Sequence, residues 1–362
     1  MGLIFSADRK SRNKPNGTLT LLFVLCIFLF HCSDREQDAA NLLIEIPGFT
    51  MGTTYKVKVV KNSQWKENEI DKITKTLSAG ITDRLDTVNQ QMSMWREDSE
   101  ISRFNRCRET GWFEISTDTA RVIAEALETS KKSAGAFDIT VGPLVNLWGF
   151  GPAKEKREIP GEAQIKEALA KTGYQKLAVR LSPPAVKKDD PEIYCDLSAI
   201  AKGFGVDKVA EYLETQGIAN YLVEIGGEVR ARGMSPKGTP WRVAIASPDG
   251  SADYQKVLFL ENASMATSGD YHNYFEKDGV RYSHTIDPGT GRPVTHKLAS
   301  VSVVHASCTT ADAMATAIDV LGPGKGYELA LKEDLPVFLV VREKDTFVEK
   351  MTPRFQALAN NK

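Results

Sequence analysis

The chain has 362 residues, 42% hydrophobic and 26% charged, which is ordinary for a globular protein with a sizeable core. Its formal net charge is −1. No basic stripe suited to a polyphosphate backbone stands out, which argues against a nucleic-acid partner.

The first 31 residues carry Arg9, Lys10, Arg12 and Lys14 against the single acid Asp8. An apolar run from Leu19 to Phe30 follows, broken only by Thr20. A basic start before a short apolar stretch is the pattern of a secretory signal, and the run is too short for an ordinary spanning helix. Residues 1–31 are therefore expected to be a signal peptide. Leu29-Phe30-His31-Cys32 looks like a lipobox, although Phe30 and His31 stand where small residues are usual. Lipid attachment at Cys32 is the expectation, with residues 32–46 as a tether; cleavage without lipid and an uncleaved anchor are the alternatives. The remaining cysteines, Cys107, Cys195 and Cys308, have neither a disulfide framework nor zinc-ligand spacing.

Beyond the leader, the alternation Thr54–Val60 predicts a strand. Ile70, Ile73, Leu77, Ile81, Leu85 and Val88 recur at helical spacing, predicting a long helix that ends before Met92. A second helix is expected over Thr117–Lys132. Residues 150–191, rich in charge, Pro and Gly, read as a connecting or inserted region around a short helical stretch near Ala163–Lys171. A helix is expected to start near Ser198, capped by that residue and closed by Gly217. Strand signals then dominate at Tyr221–Ile225, Trp241–Ala246, Lys256–Leu260, Arg281–Thr285 and Ala299–His305. A helix from Thr310 to Leu321 is stopped by Gly322 and Pro323, before strands at Pro336–Val341 and Thr346–Lys350. Runs of strands with interspersed helices indicate an α+β class.

Four segments could carry chemistry. Asp312 and Thr316 lie one helical turn apart on one face. A carboxylate plus a hydroxyl is an oxygen-only pair suited to a hard ion such as Mg²⁺. The same pattern also suits an Asp favoured by the helix dipole and a Thr bonded back to a carbonyl. Asp196 to Gly205 opens a helix whose amides could face an anion, with Lys202 as a point charge, or it is a plain capped helix in close packing. Ser283 to Gly291 places His284 and Asp287 near a strand end and tight turns, where a His can act as a base or contact a phosphate. Finally, Met92-Ser93-Met94-Trp95 and Gly135-Ala136-Phe137-Asp138 set apolar surface beside polar groups, as a flat ring ligand requires or as a core provides.

These segments stand in a fixed order with Thr50-Met51-Gly52-Thr53, Ser102-Arg103-Phe104-Asn105, Gly142-Pro143-Leu144, Gly226-Gly227-Glu228 and Ala266-Thr267-Ser268-Gly269-Asp270-Tyr271. The ordered set resembles the ApbE family, the FAD:protein FMN transferases, over roughly residues 47–350. The resemblance implies an α+β fold of two similar strand–helix–strand units with mostly antiparallel sheets, in one flavin transferase domain over residues 47–355. It implies Mg²⁺-dependent transfer of FMN from FAD to a threonine hydroxyl of a target protein, with release of AMP. By similarity, Met51, Trp95, Ala136, Phe137, Asp138, Asp196, Lys202, Thr285 and Ile286 would line the FAD site. Asp312 and Thr316 would bind Mg²⁺ with the backbone carbonyl of Ala199, and His284 would be the leading candidate for a base. Acceptors would be respiratory or reductase subunits that carry covalent FMN. Many members are exported lipoproteins, which supports Cys32 as the anchor and a place on the periplasmic side of the inner membrane.

The nearest alternative is a Mg²⁺-dependent FAD pyrophosphatase, in which water replaces the threonine. A flavin-binding lipoprotein without catalysis has no need of a metal pair at the pyrophosphate. Nicotinamide chemistry is disfavoured because no glycine-rich strand–turn–helix fingerprint is present.

Overall fold

A computed structural model describes residues 42–152, 157–249, 254–269, 273–344 and 346–360. The signal peptide, Cys32, the tether up to residue 41, and Asp270 and Tyr271 of the family motifs lie outside the described residues. Among the described residues, no helix is long and apolar enough to cross a membrane. From Ile44 onward the chain packs as one unit.

One eight-stranded sheet organises that unit. Its strands are β1 (Leu43–Thr50), β2 (Thr53–Val60), β3 (Tyr221–Ile225), β4 (Glu228–Arg232), β5 (Ala263–Gly269), β6 (Leu298–His305), β7 (Val337–Glu343) and β8 (Thr346–Met351). They lie side by side in chain order. Every pairing from β2 to β8 is antiparallel. The fold is thus α+β with mostly antiparallel sheets. β6 is buried at every position from Leu298 to Val304, and the helix that follows it in sequence packs against it.

Eight α-helices are described: α1 (Ile70–Met92), α2 (Glu100–Arg106), α3 (Thr117–Lys132), α4 (Gly142–Leu147), α5 (Glu162–Ala170), α6 (Ala201–Thr215), α7 (Cys308–Lys332) and α8 (Pro353–Asn360). α1 runs through Met92 rather than ending before it, and buries Leu77, Ile81, Leu85, Val88 and Met92 at the spacing of one helical stripe. α6 starts at Ala201, three residues later than expected. Ser198 does not cap it: its hydroxyl turns to Met94 Sδ at 3.5 Å, and its amide joins the Asp196 carboxylate at 2.8 Å in a turn that precedes the helix. Gly217 (φ 73°) does close it, in the left-handed conformation that glycine tolerates. Gly322 (φ 72°, ψ −176°) breaks α7 as expected, but helix resumes after Pro323 and continues to Lys332. The 150–191 region is more structured than a connector: it holds α5 and a hairpin of Leu177–Leu181 with Pro184–Lys188. The expected strand at Arg281–Thr285 covers Val280–Ser283 and pairs with Tyr274–Lys277 outside the main sheet. Cys107, Cys195 and Cys308 are free thiols.

The start of α7 is anchored by one side chain. Asp207 of α6, 6% exposed, accepts from the Thr309 amide at 2.9 Å, the Thr309 hydroxyl at 2.7 Å, the Ser307 hydroxyl at 2.9 Å and the Cys308 amide at 3.1 Å. Arg230 of β4 completes the set at 2.6 Å. Several donors on one carboxylate satisfy the helix-terminal amides, and the negative charge suits the positive end of the helix dipole. Asp207→Ala leaves these donors and the half-buried Arg230 without their acceptor. Breaking such a buried set costs roughly 3 kcal/mol or more, so the variant is expected to unfold at clearly lower denaturant in an equilibrium titration. A loss below about 1 kcal/mol would contradict this account.

Candidate functional site

A cavity of about 730 Å³ opens where the end of α1, the start of α6, the first half of α7 and the end of β5 meet. Its size falls within the roughly 300–1,000 Å³ of small-molecule sites. Met51, Trp95, Ala136, Phe137, Asp138, Asp196, Ala199, Lys202, His284, Thr285, Ile286, Asp312 and Thr316 all line it. The fold therefore brings together residues spread over 266 positions of sequence, from Met51 to Thr316.

Local structure explains how each arrives. Met51 (φ 50°) and Gly52 (φ 74°) form the two-residue turn between β1 and β2, both in the left-handed region that such hairpin turns require. A Cβ added at Gly205 would sit 2.8 Å from Met51 Cε, so α6 leaves room for that side chain. Trp95 follows α1 and is 64% exposed on the rim, whereas Trp148 is a core residue at 1%. A large ring left at the mouth of a cavity offers a flat apolar surface to a ligand.

Asp138 shapes the wall more than it faces the space. Its Oδ1 accepts from the Thr140 amide at 2.8 Å and hydroxyl at 2.7 Å, and its Oδ2 from the Tyr174 amide at 2.8 Å. These bonds fix the turn that presents Ala136 and Phe137. Burial pushes the Asp138 carboxyl above its usual range, against the pull of those donors. Asp196 is held by Asn105, whose side-chain amide pairs with both backbone groups of the neighbouring Cys195, at 2.7 and 2.9 Å. Burial raises the Asp196 carboxyl as well, and its bonds with Ser198 oppose the shift.

The oxygen pair sits on α7. Asp312 is 4% exposed, and its Oδ2 accepts the Gly203 amide of α6 at 2.9 Å. Thr316 places its hydroxyl 3.3 Å from Ser268 Oγ, across to β5 rather than back to a carbonyl of its own helix. Among the described residues, no group of three or more His, Cys, Asp or Glu is arranged to hold a metal. Asp312, Thr316 and the Ala199 carbonyl nonetheless fit Mg²⁺. All their donor atoms are oxygens, and Mg²⁺ commonly uses one or two carboxylates, several waters and substrate phosphates. Transition metals favouring thiolate or imidazole find no such set here.

Gly203 sets the spacing of α6 against α7. A Cβ there would collide with the Cys308 carbonyl oxygen and lie 2.8 Å from Asp312 Cβ. Gly203→Ala is expected to cost about 1–3 kcal/mol by overpacking and to weaken divalent-cation binding, since Asp312 must move. Thermal unfolding and calorimetric titration of the cation check the two effects; an unchanged affinity would free Asp312 from this spacing.

His284 stands at the other side. Its Nδ1 lies 3.0 Å from the Asn273 carbonyl, which also accepts the His284 amide at 3.0 Å. A carbonyl only accepts, so Nδ1 carries the hydrogen, and in the neutral imidazole the lone pair is then on Nε2, as a base needs. Phe150 meets the imidazole edge-on at a centroid distance of 6.4 Å.

Two wall carboxylates escaped the sequence reading. Glu228, 1% exposed, takes the Lys202 ammonium at 2.6 Å. Asp319, also 1% exposed, accepts the Thr285 hydroxyl at 3.0 Å. Asp319 follows Asp312 by seven residues, so extending the Asp312–Thr316 stripe by one more turn would have found it. Glu228 is the acid of the Gly226-Gly227-Glu228 motif, and no spacing in the sequence ties it to Lys202, which lies 26 residues away. Burial works against the Lys202 charge, but Glu228 and Asp312 outweigh it and raise its pKa.

The profile described as the ApbE family matches residues 51–339. A protein named FAD:protein FMN transferase from Vibrio cholerae is 44% identical over 314 residues, covering 86% of this chain and 92% of that protein. One of the same name from Escherichia coli is 38% identical over 346 residues, covering 94% of this chain and 97% of its own length. The solved structure of the flavin transferase ApbE from Vibrio cholerae superposes with a TM-score of 0.79 at 42% identity, over 87% of this chain and 99% of that one. A profile match across most of the chain, relatives of nearly full length and a shared fold agree: the chain belongs to the ApbE family.

Proposed function

We propose that the protein is a transferase that splits FAD at its pyrophosphate and places FMN on a threonine hydroxyl of a partner protein, releasing AMP. The observation that carries this reading is the cavity itself. It joins an oxygen-only pair on α7, a lysine ammonium and an imidazole with an ordered tautomer, beside the apolar surfaces of Trp95 and Phe137. The names of the relatives support the same chemistry.

In this account the Lys202 ammonium, carried on the first turn of α6, binds the pyrophosphate as a point charge. A divalent cation held by Asp312, Thr316 and the Ala199 carbonyl would supply charge neutralisation at the phosphates. His284 takes the proton of the acceptor hydroxyl at Nε2 as that oxygen bonds to the FMN phosphorus. The bond from that phosphorus to the AMP oxygen breaks, and AMP leaves with the electron pair. Mg²⁺ is the ion we assign. Export by the signal peptide, a lipid at Cys32 and acceptors among respiratory or reductase subunits on the periplasmic side complete the proposal.

Full-length protein in detergent, given FAD, Mg²⁺ and a threonine-bearing acceptor, is expected to release AMP in excess of free FMN, as measured by chromatography. Equal AMP and free FMN, unaffected by the acceptor, would make the protein a pyrophosphatase instead. Trp95→Ala is expected to raise the FAD concentration for half-maximal rate about tenfold with turnover nearly unchanged, since stacking contributes roughly 1–2 kcal/mol to ground and transition state alike. A fall in turnover without a change in half-saturation would remove Trp95 from ligand stacking.

A further inference from the structure

Glu228 presents an electrostatic puzzle. It opens β4 directly after Gly226 (φ 59°) and Gly227 (φ 103°), a backbone path that carries its side chain into the cavity wall. The side chain is 2% exposed, its Oε1 takes Lys202 at 2.6 Å, and its Oε2 is buried with no hydrogen-bond partner. A buried acid beside a pyrophosphate site repels the ligand and leaves an oxygen unsatisfied, both costly. Burial, with the nearby Asp312 carboxylate, pushes its carboxyl up to about 8, against the pull of the Lys202 ammonium.

Lys202 has two carboxylates within its electrostatic reach, Glu228 and Asp312. It pairs with Glu228, and among the described residues no ion pair joins it to Asp312. The second arrangement would cancel the charge of the only carboxylate assigned to the cation. We propose that Glu228 is a positioning residue that holds Lys202 away from Asp312, so that the ammonium meets the FAD pyrophosphate while Asp312 stays open to a divalent cation. This role rests on the FAD reading above. It explains why an acid is kept in an anion site: two cations, one lysine and one metal, must share a small space without one displacing the other.

The test compares wild type, Glu228→Gln, Lys202→Met and the double variant as full-length proteins in detergent. Calorimetry gives Mg²⁺ affinity, flavin fluorescence gives FAD affinity without metal, and AMP release gives turnover. Glu228→Gln is expected to weaken Mg²⁺ binding about tenfold or more, because the released ammonium is then free to pair with Asp312. Adding Glu228→Gln to Lys202→Met is expected to change Mg²⁺ affinity less than about twofold, because the residue it restrains is gone. Glu228→Asp is expected to recover part of the loss. Additive effects in the double variant, or unchanged Mg²⁺ affinity in Glu228→Gln with tighter FAD binding, would overturn the role. A wild type that neither binds nor splits FAD would sink the underlying reading, and is distinguishable because no variant is needed to see it.

Discussion

Asp312→Asn is expected to lower metal-dependent AMP release by about a thousandfold, the scale of several kcal/mol that a bound cation contributes to phosphoryl transfer. The amide can still accept the Gly203 N–H through its carbonyl oxygen, so the α6–α7 contact at 2.9 Å is kept. Its NH₂ group, however, is a donor where a cation needs an acceptor. Burial holds the Asp312 carboxyl above its usual range, so its ionised form costs the unligated fold stability around neutral pH and the amide does not. The variant is therefore expected to unfold no earlier than wild type without metal. Steady-state rates across a Mg²⁺ titration, with thermal unfolding alongside, separate the two effects. Retained turnover with the wild-type Mg²⁺ requirement would remove Asp312 from the metal site. A large drop in melting temperature would instead place its role in the packing of α6 on α7.

His284→Ala is expected to reduce turnover by roughly 10²–10⁴-fold, the contribution of a positioned base. FAD affinity is expected to stay within about threefold, because a base acts in the transition state and not in ligand capture. The imidazole is half-buried, fixed by the Asn273 carbonyl at 3.0 Å and flanked by Phe150, so its removal leaves the surrounding hairpin paired. Fluorescence titration of FAD and single-turnover AMP release report the two quantities separately. Loss of FAD binding with little loss of turnover would assign His284 to ligand contact.

Much of the site was legible because its spacing is local. Asp312 and Thr316 lie one turn apart, and the helix that carries them is written plainly between Thr310 and Leu321. Asp207 was not legible: its partners Ser307, Cys308, Thr309 and Arg230 are distant in sequence, and only folding shows that α6 caps α7. β5, with the sequence Ala-Ser-Met-Ala-Thr-Ser-Gly, was missed because small residues pack on both faces and leave no alternation to read. The late start of α6 has a similar lesson. Ser198 looks like a cap, but it sits in the turn closed by the Asp196 carboxylate, its hydroxyl faces Met94, and the helix begins at Ala201. The glycines of that segment serve close packing, Gly203 against α7 and Gly205 against Met51, while its polar residues Asp196 and Lys202 face the cavity.

The most direct test of the central claim is the intact mass of a threonine-bearing acceptor protein after incubation with this protein, FAD and Mg²⁺. The acceptor is expected to gain the mass of one bound FMN, localised by fragmentation to the threonine and abolished by its replacement with alanine. An acceptor of unchanged mass, in a reaction that consumes FAD and yields free FMN and AMP, would contradict it.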